Sequence, residues 1–146
     1  MFFSARIFPI CSTGKIAYKE MPAKFQAGFR NWAGIAGLEA SIVYLLRLGL
    51  ENIRKKNLKL ANLMREELSR IPGVILYGPE EQEKRTSIVS FSLLNQDLKI
   101  IVERLEKENM ILAVREIFTQ KVIRASMHFF NTEVQIMKVI DVIKKS

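Results

Sequence analysis

Arg124 is the residue best placed to do chemistry in this chain. It sits in the short apolar run Val122-Ile123-Arg124-Ala125-Ser126-Met127, which continues through His128, Phe129 and Phe130 to Asn131 and Thr132. An arginine held on a strand presents a planar fork of donors that grips a carboxylate bidentately. The Asn131-Thr132 pair stops the run, and Thr132 with Gln135 has the spacing of a capping box, so a helix starts there. The pattern predicts a strand that holds Arg124 beside a helix start. A second reading stays open, in which Arg124 is a surface charge at a strand edge. His128 also has two readings: a catalytic group, or a structural histidine bonding backbone near the helix cap. Asn131 is a secondary candidate in the same segment.

The elements that position these residues follow from periodicity. Ile35, Leu38, Ile42, Leu45 and Leu46 share one face at helical spacing. Gly34 and Gly37 lie in the same helix, and close packing of another element is the expected reason. Gly49 breaks that helix, and a second is predicted over about 51–71, with Asn57, Leu60, Ala61, Met64, Leu68 and Ile71 along its stripe. Pro72-Gly73 ends it. Strands are predicted over 74–77 and 86–93, then a helix opened by Asp97, then strands over 110–114 and 122–127. The last helix buries Ile136, Val139, Ile140 and Ile143. The order α-α-β-β-α-β-β-α lacks strict alternation, so the fold class is α+β, a small mostly antiparallel sheet covered by helices. Residues 1–24 read as a lead-in segment with an apolar group from Phe2 to Ile10, a turn at 12–15 and a short strand near 16–20, and residues 25–146 as the domain proper.

Composition bounds the function. The chain has 146 residues, 49% of them hydrophobic and 26% charged, which suits one globular domain with a real core. A net charge of +8 permits an anionic partner without requiring one. Arg54, Lys55, Lys56 and Lys59 cluster on one helix, but no aromatic residues interleave with them, so a solvated helix face is favoured over a nucleic-acid surface. A single Cys and a single His argue against an internal disulfide and against a zinc site, and no metal is expected. The N-terminal apolar stretch is interrupted by Arg6 and Pro9 and is too short to cross a bilayer. No membrane association is expected, and the compartment expected is the cytoplasm. The segment Ser12-Thr13-Gly14-Lys15 lacks the earlier glycine and the following Ser or Thr of a phosphate loop.

Three stretches together resemble the class V aminotransferases, fold-type I pyridoxal-phosphate (PLP) enzymes that include cysteine desulfurases, kynureninases and isopenicillin N epimerase-like proteins. These are the turn and helix from Gly28 to Leu38, Val114-Arg115-Glu116, and Arg124 to Thr132. The likeness runs from about Phe25 to Lys145 and corresponds to the C-terminal small domain. It implies that Arg124 binds the α-carboxylate of an amino-acid substrate, that the activity is transamination or related α-carbon chemistry, and that PLP is the cofactor. It also implies that the Schiff-base lysine, the aspartate on the pyridine nitrogen and the ring-stacking residue belong to a large domain outside this chain. The chain alone is then expected to be inactive and not to hold PLP. A large-domain partner chain or a homo-oligomer is expected, and a stand-alone binding or oligomerisation module is the alternative. Phe29 and Arg30 stand where the family has Thr and Pro, which makes Arg30 the candidate for contact with the cofactor phosphate. Cysteine desulfurases carry a catalytic cysteine in the loop that corresponds to 116–121. That loop has no cysteine here, so the likeness leans toward aminotransferase or epimerase-like members. Arg115 is expected to be structural.

Overall fold

The computed structural model describes residues 20–25, 28–117 and 119–145. The turn expected at 12–15, the apolar group before it and nearly all of the strand expected near 16–20 lie outside these. The chain divides into two compact units, residues 1–47 and 48–146.

The described part of the first unit is a single helical turn, Ala23–Phe25, and helix α1, Trp32–Leu48, whose last residue lies in the second unit. Asn31 starts α1: its Oδ1 accepts the Gly34 N–H at 2.9 Å and its carbonyl accepts the Ile35 N–H at 3.0 Å. A Cβ at Gly34 would lie 2.7 Å from Asn31 Nδ2. The glycine therefore makes room for the helix's own cap. Nothing lies within 4 Å of a Cβ built at Gly37, whose carbonyl accepts the Ser41 hydroxyl at 2.8 Å. No residue of α1 is buried, and Ile35, Leu38, Ile42 and Leu46 on its apolar face are exposed.

The second unit is α+β. Helix α2, Leu50–Ser69, begins after Gly49, whose φ of 81° is a backbone state that L side chains rarely adopt. Four strands follow with two helices among them: β1 Val74–Tyr77, β2 Ile88–Leu93, α3 Leu98–Lys107, β3 Ala113–Ile117, β4 Gln120–Ser126 and α4 Glu133–Lys144. All neighbouring strands are antiparallel, in the order β1-β2-β4-β3. Asp97 caps α3 by accepting the Lys99 N–H at 2.9 Å.

Period-two alternation decides which side of the sheet is dry. Val89, Phe91 and Leu93 on β2 and Ile123 and Ala125 on β4 join one core with Leu60, Met64 and Leu68 of α2, Ile101 and Leu105 of α3, and Ile136, Val139, Ile140 and Ile143 of α4. The three helices therefore cover one face, and Leu76, Phe91, Ile123 and Val114 form a continuous cross-strand row beneath them. The intervening residues of the same strands point to the opposite face.

The third strand begins at Ala113, three residues later than the apolar run from Met110 implied. Asn109, with φ of 59°, closes α3, and the Met110 N–H bonds the Leu105 carbonyl at 2.9 Å. Met110 and Leu112 pack against the core from this connection, which accounts for their apolar character without strand pairing.

The β1–β2 connection is held by arginines. Arg85 donates from Nε to the Pro79 carbonyl at 3.0 Å, from Nη1 to Asn62 Oδ1 at 3.2 Å, and from Nη2 to the Glu80 carbonyl. Arg65 Nη1 donates to the Tyr77 carbonyl at 2.9 Å. Burial, and then the charge of Arg85, lower the Arg65 pKa from its ordinary value.

Candidate functional site around Arg124

Arg124 stands on the sheet face opposite to α2, α3 and α4. Its neighbours on β4, Ile123 and Ala125, are core residues, so alternation places Arg124 on the other side. Its row across the sheet is Tyr77, Ser90, Arg124 and Ala113, in that strand order. The strand order makes β4 an inner strand, which overturns the reading of Arg124 as a strand-edge charge. Serine and alanine on either side leave lateral space for a guanidinium. Arg124 is half-buried, and its Nε is a buried donor without a hydrogen-bond partner. Unpaired buried donors are rare in folded proteins and mark strain or an unfilled role.

Near Arg124 the face carries the hydroxyls of Tyr77, Ser90 and Ser92 and the apolar side chains of Ala113 and Val122. The Tyr77 and Ser92 hydroxyls lie 3.0 Å apart and share a hydrogen bond. Val122 is buried and pairs with exposed Arg115, whose Nη1 donates to the Val114 carbonyl at 3.2 Å. Ser90, Ser92 and Tyr77 carried no signal of their own as site residues. The signal that finds the two serines is the alternation Val89-Ser90-Phe91-Ser92-Leu93, where every second residue carries a hydroxyl.

The segment after β4 is built separately. Asn131 Oδ1 accepts the His128 backbone N–H at 2.8 Å, and the Asn131 N–H donates to the His128 carbonyl at 2.9 Å. Asn131 Nδ2 also reaches Gln135 Oε1 at 3.2 Å. Asn131 is thus a brace between the turn and the first turn of α4. The His128 ring packs against Phe129 and Phe130, with centroids 4.5 Å and 4.7 Å away. The backbone bond expected of this histidine is made by its main-chain carbonyl, which accepts the Asn131 N–H, not by its ring. The structure brings His128 and Asn131 together. No hydrogen bond joins either to Arg124 among the described residues, and α4 packs on the opposite sheet face. The expectation of Arg124 held beside the helix start is corrected accordingly: the intervening strand residues turn it away.

Arg30 belongs to the first unit. Its guanidinium lies over the Trp32 ring, 5.6 Å from the centroid, and its carbonyl accepts the Trp32 N–H at 2.9 Å. In the basic cluster of α2, Lys59 pairs with Glu133 at 2.7 Å and Arg54 donates to the Glu83 carbonyl at 3.3 Å. Among the described residues no group of His, Cys, Asp or Glu is arranged to hold a metal, and no single helix is long and apolar enough to cross a membrane.

Strands β3 and β4 stay paired up to their last described residues on either side of the connection. Glu116 pairs with Lys121 and Ile117 with Gln120, so most of the loop expected over 116–121 is strand, and only Phe118 and Thr119 connect the two strands. Neither carries a thiol.

Among the described residues, the row of Arg124 does not compose a PLP site. Neither lysine nor aspartate stands in the row of Arg124. Asp97 is spent on the α3 cap and Asp141 lies on α4, across the sheet.

Comparison with known proteins accounts for this architecture. A model of the family described as aminotransferase class-V matches residues 3–139. A probable cysteine desulfurase of Methanothermobacter thermautotrophicus is 32% identical over 133 residues, covering 81% of this chain and 32% of the relative. A cysteine desulfurase of Pectobacterium atrosepticum is 37% identical over 78 residues, covering 53% of this chain and 18% of the relative. The apo cysteine desulfurase from Thermococcus onnurineus NA1 superposes with a TM-score of 0.82 at 24% identity, over 94% of this chain and 36% of that one. The chain thus spans about a third of the length of the Methanothermobacter relative and of the Thermococcus structure. Sequence match and fold agree, and the chain belongs to the class V aminotransferase family.

Proposed function

We propose that residues 25–146 are the small domain of a PLP-dependent class V enzyme acting on an amino acid, and that Arg124 binds the substrate α-carboxylate. The observation that carries this reading is the place of Arg124: an arginine on an inner strand, on the sheet face opposite to α2, α3 and α4, flanked by Ser90 and Ala113. A guanidinium so held offers a fixed fork to a carboxylate at little cost in side-chain ordering. Asn131 and His128 serve by shaping the turn into α4. Arg30 is the group of the first unit that suits an anionic cofactor phosphate. The chemistry is transamination or a related reaction at the α-carbon, in a cytoplasmic enzyme. The connecting residues Phe118 and Thr119 carry no thiol for sulfur transfer, which supports α-carbon chemistry over the activity named for the relatives.

Since the described residues do not compose a PLP site, the reading assigns the Schiff-base lysine to a separate large domain. The test is a PLP titration of the chain followed by visible absorbance, then intact mass after borohydride reduction. No saturable band and no specific adduct are expected. A single modified lysine would overturn the assignment of that lysine to another domain. In the assembled enzyme, Arg124→Ala should raise KM for the amino acid by roughly tenfold or more, the loss of a charge-assisted pair. An unchanged KM would remove the role given to Arg124.

A second reading, a binding or oligomerisation module without catalysis, is favoured by one observation. Phe29 is 91% exposed, Phe25 75% and Trp32 55%, and the apolar face of α1 is uncovered. On this reading the isolated chain associates with itself. Sedimentation velocity at micromolar concentration distinguishes the two: a strictly monomeric chain removes the second reading.

A further inference from the structure

We infer that Ser90 is the positioning residue for Arg124, its hydroxyl accepting the Arg124 Nε–H so that the two Nη groups are left to face a ligand; the inference rests on the reading of Arg124 as the carboxylate anchor. Two observations meet here. Arg124 Nε is a buried donor with no partner, and buried atoms of this kind lie out of reach of a carboxylate arriving from solvent. Its acceptor must therefore come from the protein or from a trapped water. Ser90 is the residue directly opposite Arg124 on β2, and cross-strand Cβ atoms stand about 5 Å apart.

The other candidates on the face are excluded by chemistry or place. Ala113, on the far side, has no polar atom. Ser92 lies two residues along β2 from Ser90, outside the row of Arg124, and its hydroxyl is bonded to Tyr77 at 3.0 Å. Ser126 is two residues along the same strand and exposed. The Ser90 hydroxyl has no hydrogen bond among the described residues, and one χ1 rotation is the single torsion needed to aim it. With Nε satisfied from within, the guanidinium plane is held and its outer edge is the part available for a bidentate grip.

The experiment observes the arginine side chains of the 15N-labelled full chain by NMR. The Arg124 Nε–Hε signal is assigned by its loss in Arg124→Lys. Its exchange with solvent should be slow in the wild type and in Ser90→Thr, which keeps the hydroxyl on a β-branched residue suited to a strand. It should be roughly tenfold faster in Ser90→Ala. Backbone amide dispersion reports whether each variant is folded. An Hε equally protected in Ser90→Ala, or unprotected in the wild type, overturns the inference. The carboxylate reading is tested separately in the assembled enzyme: if Arg124→Ala leaves KM for the amino acid unchanged there while the Ser90→Ala effect on Hε persists in the chain, the carboxylate reading fails and the Ser90–Arg124 bond stands.

Discussion

Thr132 and Gln135 cap each other. The Thr132 hydroxyl accepts the Gln135 N–H at 3.3 Å, and Gln135 Oε1 accepts the Thr132 N–H at 3.0 Å. This reciprocal pair sets where α4 begins, and α4 supplies Ile136, Val139, Ile140 and Ile143 to the core. Thr132→Ala removes one of the two bonds and should cost about 1 kcal/mol, with Thr132→Ser nearly neutral. Urea unfolding measures both; an equal midpoint for Ala and Ser would mean that the cap contributes nothing.

Asn131 braces the turn before that cap through His128, and its loss should loosen the turn without unfolding the sheet. For Asn131→Ala the expected cost is about 1 kcal/mol. Hydrogen exchange at the His128 amide should speed up, while the Phe91 and Ile123 amides stay as protected relative to global stability as before. Uniform acceleration at all three would instead place Asn131 in the global unfolding unit.

Glu133 and Lys59 join α4 to α2 at 2.7 Å. The hydrogen bond from Lys59, and then its charge, hold the Glu133 carboxyl below the usual carboxylate range. A lowered folded-state pKa means the contribution is present above the ordinary carboxylate pKa and is lost as pH falls through the lowered value. The pair is exposed and screened, so salt should weaken it. In Lys59→Met, the Glu133 carboxyl should titrate closer to its ordinary value by 13C NMR. An unmoved titration would refute the coupling.

Phe91 is fully buried at the crossing of the Leu76, Phe91, Ile123 and Val114 row with the helices, whereas Ile88 on the same strand is 47% exposed. Phe91→Ala should destabilise by about 3–5 kcal/mol through lost burial and the cavity left behind, and Ile88→Ala by about 1 kcal/mol or less. Comparable losses at the two positions would contradict the assignment of faces.

Much of this protein is legible in its residues one stretch at a time. The capping pair Thr132 and Gln135, the break at Gly49, the cap at Asp97 and the order of helices and strands all follow from short-range chemistry: a side chain bonding a backbone two or three residues away, or a φ that suits glycine. Alternation along β2 likewise marks Phe91 as core and Ser90 as outward. The position of Arg124 depends on more. Its own strand shows only that it opposes Ile123. That β4 is an inner strand, with Ser90 on one side and Ala113 on the other, depends on pairing between segments more than thirty residues apart for β2 and on pairing with β3 for the other side. Register of that kind is set by how three helices bury one face together, and no local pattern encodes it. The same holds for Gly34, whose need is visible only once the Asn31 side chain folds back over it, and for Met110, which is apolar because it packs on a core assembled from distant parts of the chain.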